Sequence, residues 1–254
     1  MKHVLSGVLG ARKFCKPMES IERGNTQDGV NKEIILYLLS LQNPALKLFD
    51  LPCGDGTFLK NLQIFLPQAQ LKGADLYATP RSEVATLCVK AASSDWSHLK
   101  AEPQDVISCI SGLMCFDNAS EIFQQASRHL QTGGLLIVTN DNVLTVRDRL
   151  SFLFFGRLKR FKKLYTPTEG NWNVMLIQGL WKLFRQNGFE LKEIRYTSLR
   201  FEDWFFLPLA LSIYPIELVF LWTQKSELPM RERSRLFPFK SLLARHYIMI
   251  GQRR

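Results

Sequence analysis

The stretch FDLPCGDGTFL, residues 49–59, ends an apolar run (Leu46, Leu48, Phe49) in a carboxylate, Asp50, and follows it with glycines at 54 and 56. An apolar run that stops at a glycine loop and resumes as DGTFLKNLQIFL, residues 55–66, reads as strand, loop and helix. Glycines let a backbone approach a ligand closely, and aligned amides at a helix start favour negative groups. Pro52 is the unusual residue. Proline fixes φ near −65° and lacks an N–H, which is harmless if the chain is extended there and that amide is no ligand contact. A dinucleotide fingerprint requires G-x-G-x-x-G, but after Gly54 and Gly56 the third position is Leu59, which argues against NAD or FAD.

Working outward, strand and helix signals alternate. The spacing predicts helices over 28–42, 55–66, 118–131 and 173–189, and strands over 45–51, 69–77, within 84–93, and over 105–113, 134–140, 190–198 and 246–254. Such alternation implies an α/β fold: one mostly parallel sheet of seven strands with helices on both faces. The 254 residues suffice for one large domain with elaborations. The organisation expected is an N-terminal arm (1–27), a core (28–197 plus 246–254) and an insertion (198–245).

Five scattered cysteines have neither zinc spacing nor a disulfide pattern, so no metal is expected and a reducing cytoplasm fits. The apolar part of the N-terminus is short for a signal peptide. The net charge of +10 is uneven: Arg147 to Lys163 holds seven basic residues against one acid, and the C-terminal part adds seven more from Arg231 to Arg254. Such clusters suit anions (nucleic acid, anionic lipid or phosphorylated substrates) or form a solvated basic face.

Three more features follow in order. The second strand ends in Asp75-Leu76, Asp95-Trp96 follows the third, and Ser111-Gly112 ends the fourth. With Asp50-Leu51-Pro52-Cys53-Gly54-Asp55-Gly56 in place of acid-x-Gly-x-Gly-x-Gly, this succession resembles the class I S-adenosylmethionine-dependent methyltransferases over about residues 28 to 198 and the last strand. The resemblance implies a Rossmann-like sheet with the cofactor beyond the carboxyl ends of the strands. Asp50, Pro52, Cys53, Gly54 and Gly56 would then contact it. Asp75 and Leu76 would hold the ribose, Asp95 and Trp96 the adenine, and Ser111 and Gly112 would form a wall.

Residues 140–189 resemble a methyltransferase subgroup associated with bacterial cell-surface polysaccharide and glycolipid synthesis, through Asn142, Arg147, Arg149, Phe152 to Phe155, Gly156 and Gly188-Phe189. A histidine common in that subgroup is replaced by Asn171-Trp172-Asn173. The function implied is O-methylation of a small-molecule, glycan or lipid-linked acceptor. The candidate catalytic groups are the strand-end residues Asp117, Asp141 and Asn142. Arg157, Tyr165 and Trp172 are candidate acceptor contacts, while His129 falls on a helix back and His246 is terminal.

The insertion centres on WFFLPLALSIYPIELVFLW, residues 204–222, close to the length of a membrane span. Pro208, Pro215 and Glu217 interrupt it, and one crossing would separate the last strand from its sheet. A helical hairpin or interfacial element at an anionic membrane surface is expected, or a lid over the site, with a cytoplasmic or peripheral location. Two other functions remain open: a catalytically inactive scaffold of this fold, and a nucleic-acid methyltransferase. The second is disfavoured because SGLMCFDN stands where amino-methylating DNA enzymes carry Asn-Pro-Pro-aromatic or Asp-Pro-Pro-aromatic.

Overall fold

The computed structural model describes residues 21–75, 77, 80–91, 95–99, 102–161, 173–226 and 228–254. Its centre is a seven-stranded sheet in the order β3-β2-β1-β4-β5-β7-β6. The strands are β1 (Lys47–Asp50), β2 (Gln70–Asp75), β3 (Cys88–Lys90), β4 (Gln104–Ile110), β5 (Leu130–Asp141), β6 (Phe189–Thr197) and β7 (His246–Arg253). β1 to β5 pair in parallel, and β7 runs antiparallel between β5 and β6. The expected α/β sheet with seven strands is the fold observed.

Alternation along the central strands assigns their side chains to two cores. Leu48, Val106, Ile137 and Ile248 face α1 (Val30–Ser40) and α2 (Thr57–Phe65), joining Ile34, Leu38, Leu59 and Leu62. Phe49, Ile107, Val138 and Met249 point the other way, towards α3 (Ala119–His129) and α5 (Ile177–Gln186). There Phe123, Phe184 and Phe189 meet edge to face. Because both faces are covered, the strands read as unbroken apolar runs.

β5 begins at Leu130, four residues before the expected strand. The register with β4 shifts between Gln104 and Val106, and Gly133, at φ +80°, absorbs the extra chain as a bulge does.

The insertion differs from the hairpin expected. It is a short 3₁₀ segment (Phe201–Phe206) running into one helix, α6 (Leu207–Thr223), then α7 (Met230–Leu236). Pro208 lies in the first turn, where its missing N–H is not needed, and Pro215 is accommodated inside the helix. The inner face of α6 packs Ala210, Ile213 and Tyr214 on Val146, Leu242 and Leu243. Its outer face is bare: Leu211, Ile216, Val219, Phe220 and Trp222 are exposed, as are Phe152 to Phe155 on α4 (Val146–Phe155). By length and composition, residues 201–223 form the one helix among the described residues able to cross a membrane.

Candidate active site

The glycine loop divides two clefts. Cys53 and Gly54 belong to both. On one side, the segment before α1 covers Asp50, Pro52 and Thr57 with Gly24, Asn25 and Thr26. On the other, a cleft of about 300 Å³ is lined by Asp75, Tyr77, Pro80, Cys88, Val89 and Lys90. Gly54 and Gly56 both have positive φ, and Gly56 leads directly into α2. A Cβ on Gly54 would find only Asn25 Nδ2 nearby, at 3.5 Å, so the loop presents bare backbone to the cleft.

The cover segment is built in. Asn31 Nδ2 donates to the carbonyls of Glu22 and Arg23, each at 3.0 Å, and Asn61 Nδ2 donates to Glu22 O at 2.8 Å. The Glu22 carboxylate pairs with Lys60 and Arg81, and Arg81 also reaches Asp55 in the glycine loop. The sequence reading missed these residues, together with Tyr77, Cys88 and Val89. Asn31 carries the available signal, a polar residue beside Val30 in an otherwise apolar helix face.

Asp75 ends β2 and clamps the loop: Oδ2 accepts from Gly54 N–H at 3.0 Å and Oδ1 from Tyr77 N–H at 2.8 Å. Pro52, joined to Leu51 by a cis peptide, packs on the end of β4. A Cβ on Gly112 would lie 2.2 Å from both Cδ and Cγ of Pro52. The proline is thus accommodated by a glycine sixty positions downstream. Gly112→Ala is expected to destabilise the fold by about 1–3 kcal/mol, since neither ring nor backbone yields cheaply. Chemical denaturation measures this directly.

Asp50 is buried and its Oδ1 accepts from Ser108 Oγ at 2.7 Å. Burial pushes its pKa up to about 8, with the Ser108 bond opposing. The stability associated with its protonated form is full below the unfolded value, near 4, and is lost as pH rises through about 8. Asp50→Asn cannot ionise. Comparing denaturation at pH 5 and pH 8 should show the wild type losing more stability than the variant, by up to ~1.4 kcal/mol per unit of the window crossed.

The other sequence candidates separate. Trp96 is not an adenine platform. It is 4% exposed, meeting Phe49 edge-on and stacking with His129 at 5.3 Å between ring centroids, so its faces belong to the core. Asp95 is exposed and its Oδ1 accepts from the amide and hydroxyl of Ser97. Asp117 is exposed before α3. Asn142 lines a cleft beyond β5, but its amide is taken up internally: its Nδ2 donates to Ser241 O and Ala244 O, both at 2.7 Å, and its Oδ1 accepts from Leu144 N–H. Arg157 is half-buried beyond Gly156, which caps α4. Leu76, Tyr165 and Trp172 lie outside the described residues.

Asp141 is where the structure adds most. Its carboxylate meets Arg160 Nε at 2.9 Å and His246 Nδ1 at 3.3 Å. The His246 Nε2 lies 3.0 Å from Thr139 Oγ1 and 3.3 Å from Ser111 Oγ, which is 2.6 Å from Thr26 Oγ1. His246 is terminal in sequence, yet it opens β7, which lies between β5 and the edge strand β6, and is fully buried. Burial holds its pKa below the ordinary value, with Asp141 opposing, so it is neutral near pH 7. With Nδ1–H donating to Asp141, Nε2 is an acceptor, an assignment set by the hydrogen-bond network. A polar chain thus runs from the cleft at Thr26 through Ser111 to His246 and Asp141.

A sequence model of the family described as a methyltransferase domain matches residues 24–194. No curated protein matches the chain in sequence. Among solved structures, a mycolic acid cyclopropane synthase complexed with SAH aligns at a TM-score of 0.54 and 16% identity, over 87% of this chain and 84% of that one. A geranyl diphosphate methyltransferase solved with GPP and sinefungin aligns at 0.51 and 12%, over 87% of this chain and 76% of that one. An N-methyltransferase from Haemonchus contortus, solved with phosphomonomethylethanolamine and S-adenosylhomocysteine, aligns at 0.51 and 14%, over 92% of this chain and 55% of that one. At these identities the likeness is one of fold.

Proposed function

The chain belongs to the methyltransferase-domain family, and from that premise we propose that this S-adenosylmethionine-dependent methyltransferase methylates a hydroxyl oxygen of a glycan or lipid-linked acceptor at a membrane surface. The residues present fit the cofactor. Gly54 offers backbone with room for a ligand atom, Asp75 is placed for ribose hydroxyls, and Asp50 lies beneath the loop on the side away from Asp75. Bound there, S-adenosylmethionine supplies an electrophilic methyl group on a cationic sulfur.

The observation that carries the oxygen reading is the chain Thr26–Ser111–His246–Asp141. In-line displacement needs alignment, which the fixed loop and its cover provide. A hydroxyl nucleophile must also lose its proton. The proton released by an acceptor hydroxyl would pass along the Thr26 and Ser111 hydroxyls to His246 Nε2, with Asp141 stabilising the imidazolium, while the methyl–sulfur bond of the cofactor would break as the methyl–oxygen bond forms. Arg160 holds Asp141 from the other side. The exposed apolar faces of α4 and α6, close to basic residues, support a peripheral location on the inner face of a membrane.

The test is transfer from methyl-labelled S-adenosylmethionine into separated glycan, lipid-linked and polynucleotide fractions. Label in alkali-stable ethers of the first two is expected. Label in nucleic acid, or on nitrogen or carbon alone, would overturn the reading.

A further inference from the structure

We propose that the cleft between the end of β5 and the start of α4 is a binding subsite for a phosphate-class anion carried by the acceptor. Its role in methyl transfer rests on the function proposed above, whereas its existence does not. The cleft is about 280 Å³ and its walls include Arg147, Lys159, Arg160, Arg200 and Arg245, with only Asp141 and Asp148 as acids.

Part of that positive charge has no ion-pair partner among the described residues. Arg160 is held by Asp141, and Arg245 by Asp203 and Glu202. Arg200 reaches Asp28 through one terminal nitrogen at 3.1 Å, while its Nε is buried without a hydrogen-bond partner. Arg147 and Lys159 make no ion pair among the described residues. The Asp148 carboxylate forms its hydrogen bonds elsewhere: it accepts from Thr145 Oγ1 and from the Lys159 backbone N–H. Burial, and then the neighbouring Arg245, push the Arg147 pKa down, with Asp148, Asp203 and Glu202 opposing. The half-buried Arg147 guanidinium and the buried, unpartnered Arg200 Nε are costly unless an anion joins them.

The donor set selects the anion. Several guanidinium groups and an ammonium, converging from different elements, suit a compact oxyanion with acceptors on several sides, and guanidinium forks match phosphate oxygens. Position adds to this. The cleft wall contains Asp141 of the polar chain and Gln27, the residue after Thr26 in the cover segment. An anion held here would sit beside the site of proton transfer without occupying it. The same α4 that carries Arg147 ends in exposed Phe152 to Phe155, so a phosphate head with an apolar tail fits both.

The experiment is calorimetric titration of the whole protein with inorganic pyrophosphate at fixed ionic strength, for the wild type and an Arg147→Gln/Lys159→Gln double variant. Neither side chain has an ion-pair or hydrogen-bond partner among the described residues, so the variant should remain folded. Saturable binding by the wild type, weakened at least tenfold in the variant, is expected, with the thermal shift by S-adenosylmethionine unchanged in both. Flotation with phosphatidylcholine vesicles, with and without a long-chain alkyl phosphate, identifies the source. Recruitment that requires the alkyl phosphate and the two cations indicates a lipid head, and pyrophosphate binding without such recruitment indicates a soluble phosphate ester. Absence of saturable binding to either probe, or equal binding by the variant, would overturn the subsite. So would displacement of pyrophosphate by polynucleotide with a steep salt dependence, which assigns the cleft to nucleic acid. Pyrophosphate binding by a protein that ignores S-adenosylmethionine would retain the subsite and overturn the function.

Discussion

The Asp75→Ala variant is expected to show no saturable heat on titration with S-adenosylmethionine at concentrations that saturate the wild type. Two losses combine. The carboxylate is the predicted partner of the ribose hydroxyls, and it also holds the glycine loop through Gly54 N–H and the following turn through Tyr77 N–H. Hydrogen bonds to a charged group contribute about 1.5–3 kcal/mol each, so loss of the ribose contacts alone corresponds to about a hundredfold or more in affinity. Releasing Gly54 adds an ordering cost, because backbone that presents bare amides to a ligand is useful only when fixed. Asp75→Asn separates the effects: one amide oxygen still accepts from a backbone N–H, so an intermediate affinity is expected. Thermal unfolding without cofactor checks that both variants are folded. Full affinity in Asp75→Ala would remove this carboxylate from the cofactor site, and no binding by the wild type would leave the chain a scaffold.

Asp75 was legible from sequence for a physical reason. Parallel strands buried on both faces appear as apolar runs, and ligands in such sheets lie beyond the carboxyl ends of the strands. A polar residue that ends such a run can therefore be located from its neighbours alone. The same logic pointed to Asp50, Gly54 and Ser111, which the fold places at or just beyond the ends of β1 and β4. It failed at Trp96, where nothing local reveals that the indole points back to Phe49 and His129. It failed again at Asn142, whose amide is used by carbonyls about a hundred residues away. His246 is the clearest case. Eight residues from the end of the chain, it reads as peripheral, but β7 inserts between β5 and β6 and sets it opposite Asp141 at the end of β5. That placement follows from long-range antiparallel pairing, which no local pattern encodes. Pro52 and Gly112 show the same limit, since their fit is a contact between two loops far apart in sequence.

The largest effect on turnover is expected at His246. Replacement by glutamine approximates the size of the imidazole and keeps a hydrogen-bonding group near Asp141, but removes the nitrogen that accepts a proton near neutral pH. Methyl transfer to a hydroxyl should fall about 10²- to 10⁴-fold, the range associated with losing a positioned base. The affinity for S-adenosylmethionine should not change, because His246 lies behind Ser111 and lines neither cleft beside the glycine loop. The pH profile distinguishes this role from a packing defect. Burial depresses the His246 pKa, so the wild-type rate should fall only as acid protonates the imidazole, below its ordinary value near 6.5. His246→Gln should lose that acidic limb. Stability follows the same sign: the unfolded chain takes up the proton first, so wild-type stability falls as pH drops below about 6.5 and the variant is flatter there. Ser111→Gly provides the second arm. Ser111 has φ +52°, a conformation glycine adopts without strain, so the substitution removes the hydroxyl link while preserving the backbone. If the polar chain carries the proton, Ser111→Gly should reproduce much of the rate loss with His246 intact. Unchanged turnover in both variants would remove proton transfer from this chain and, with it, the support for an oxygen acceptor.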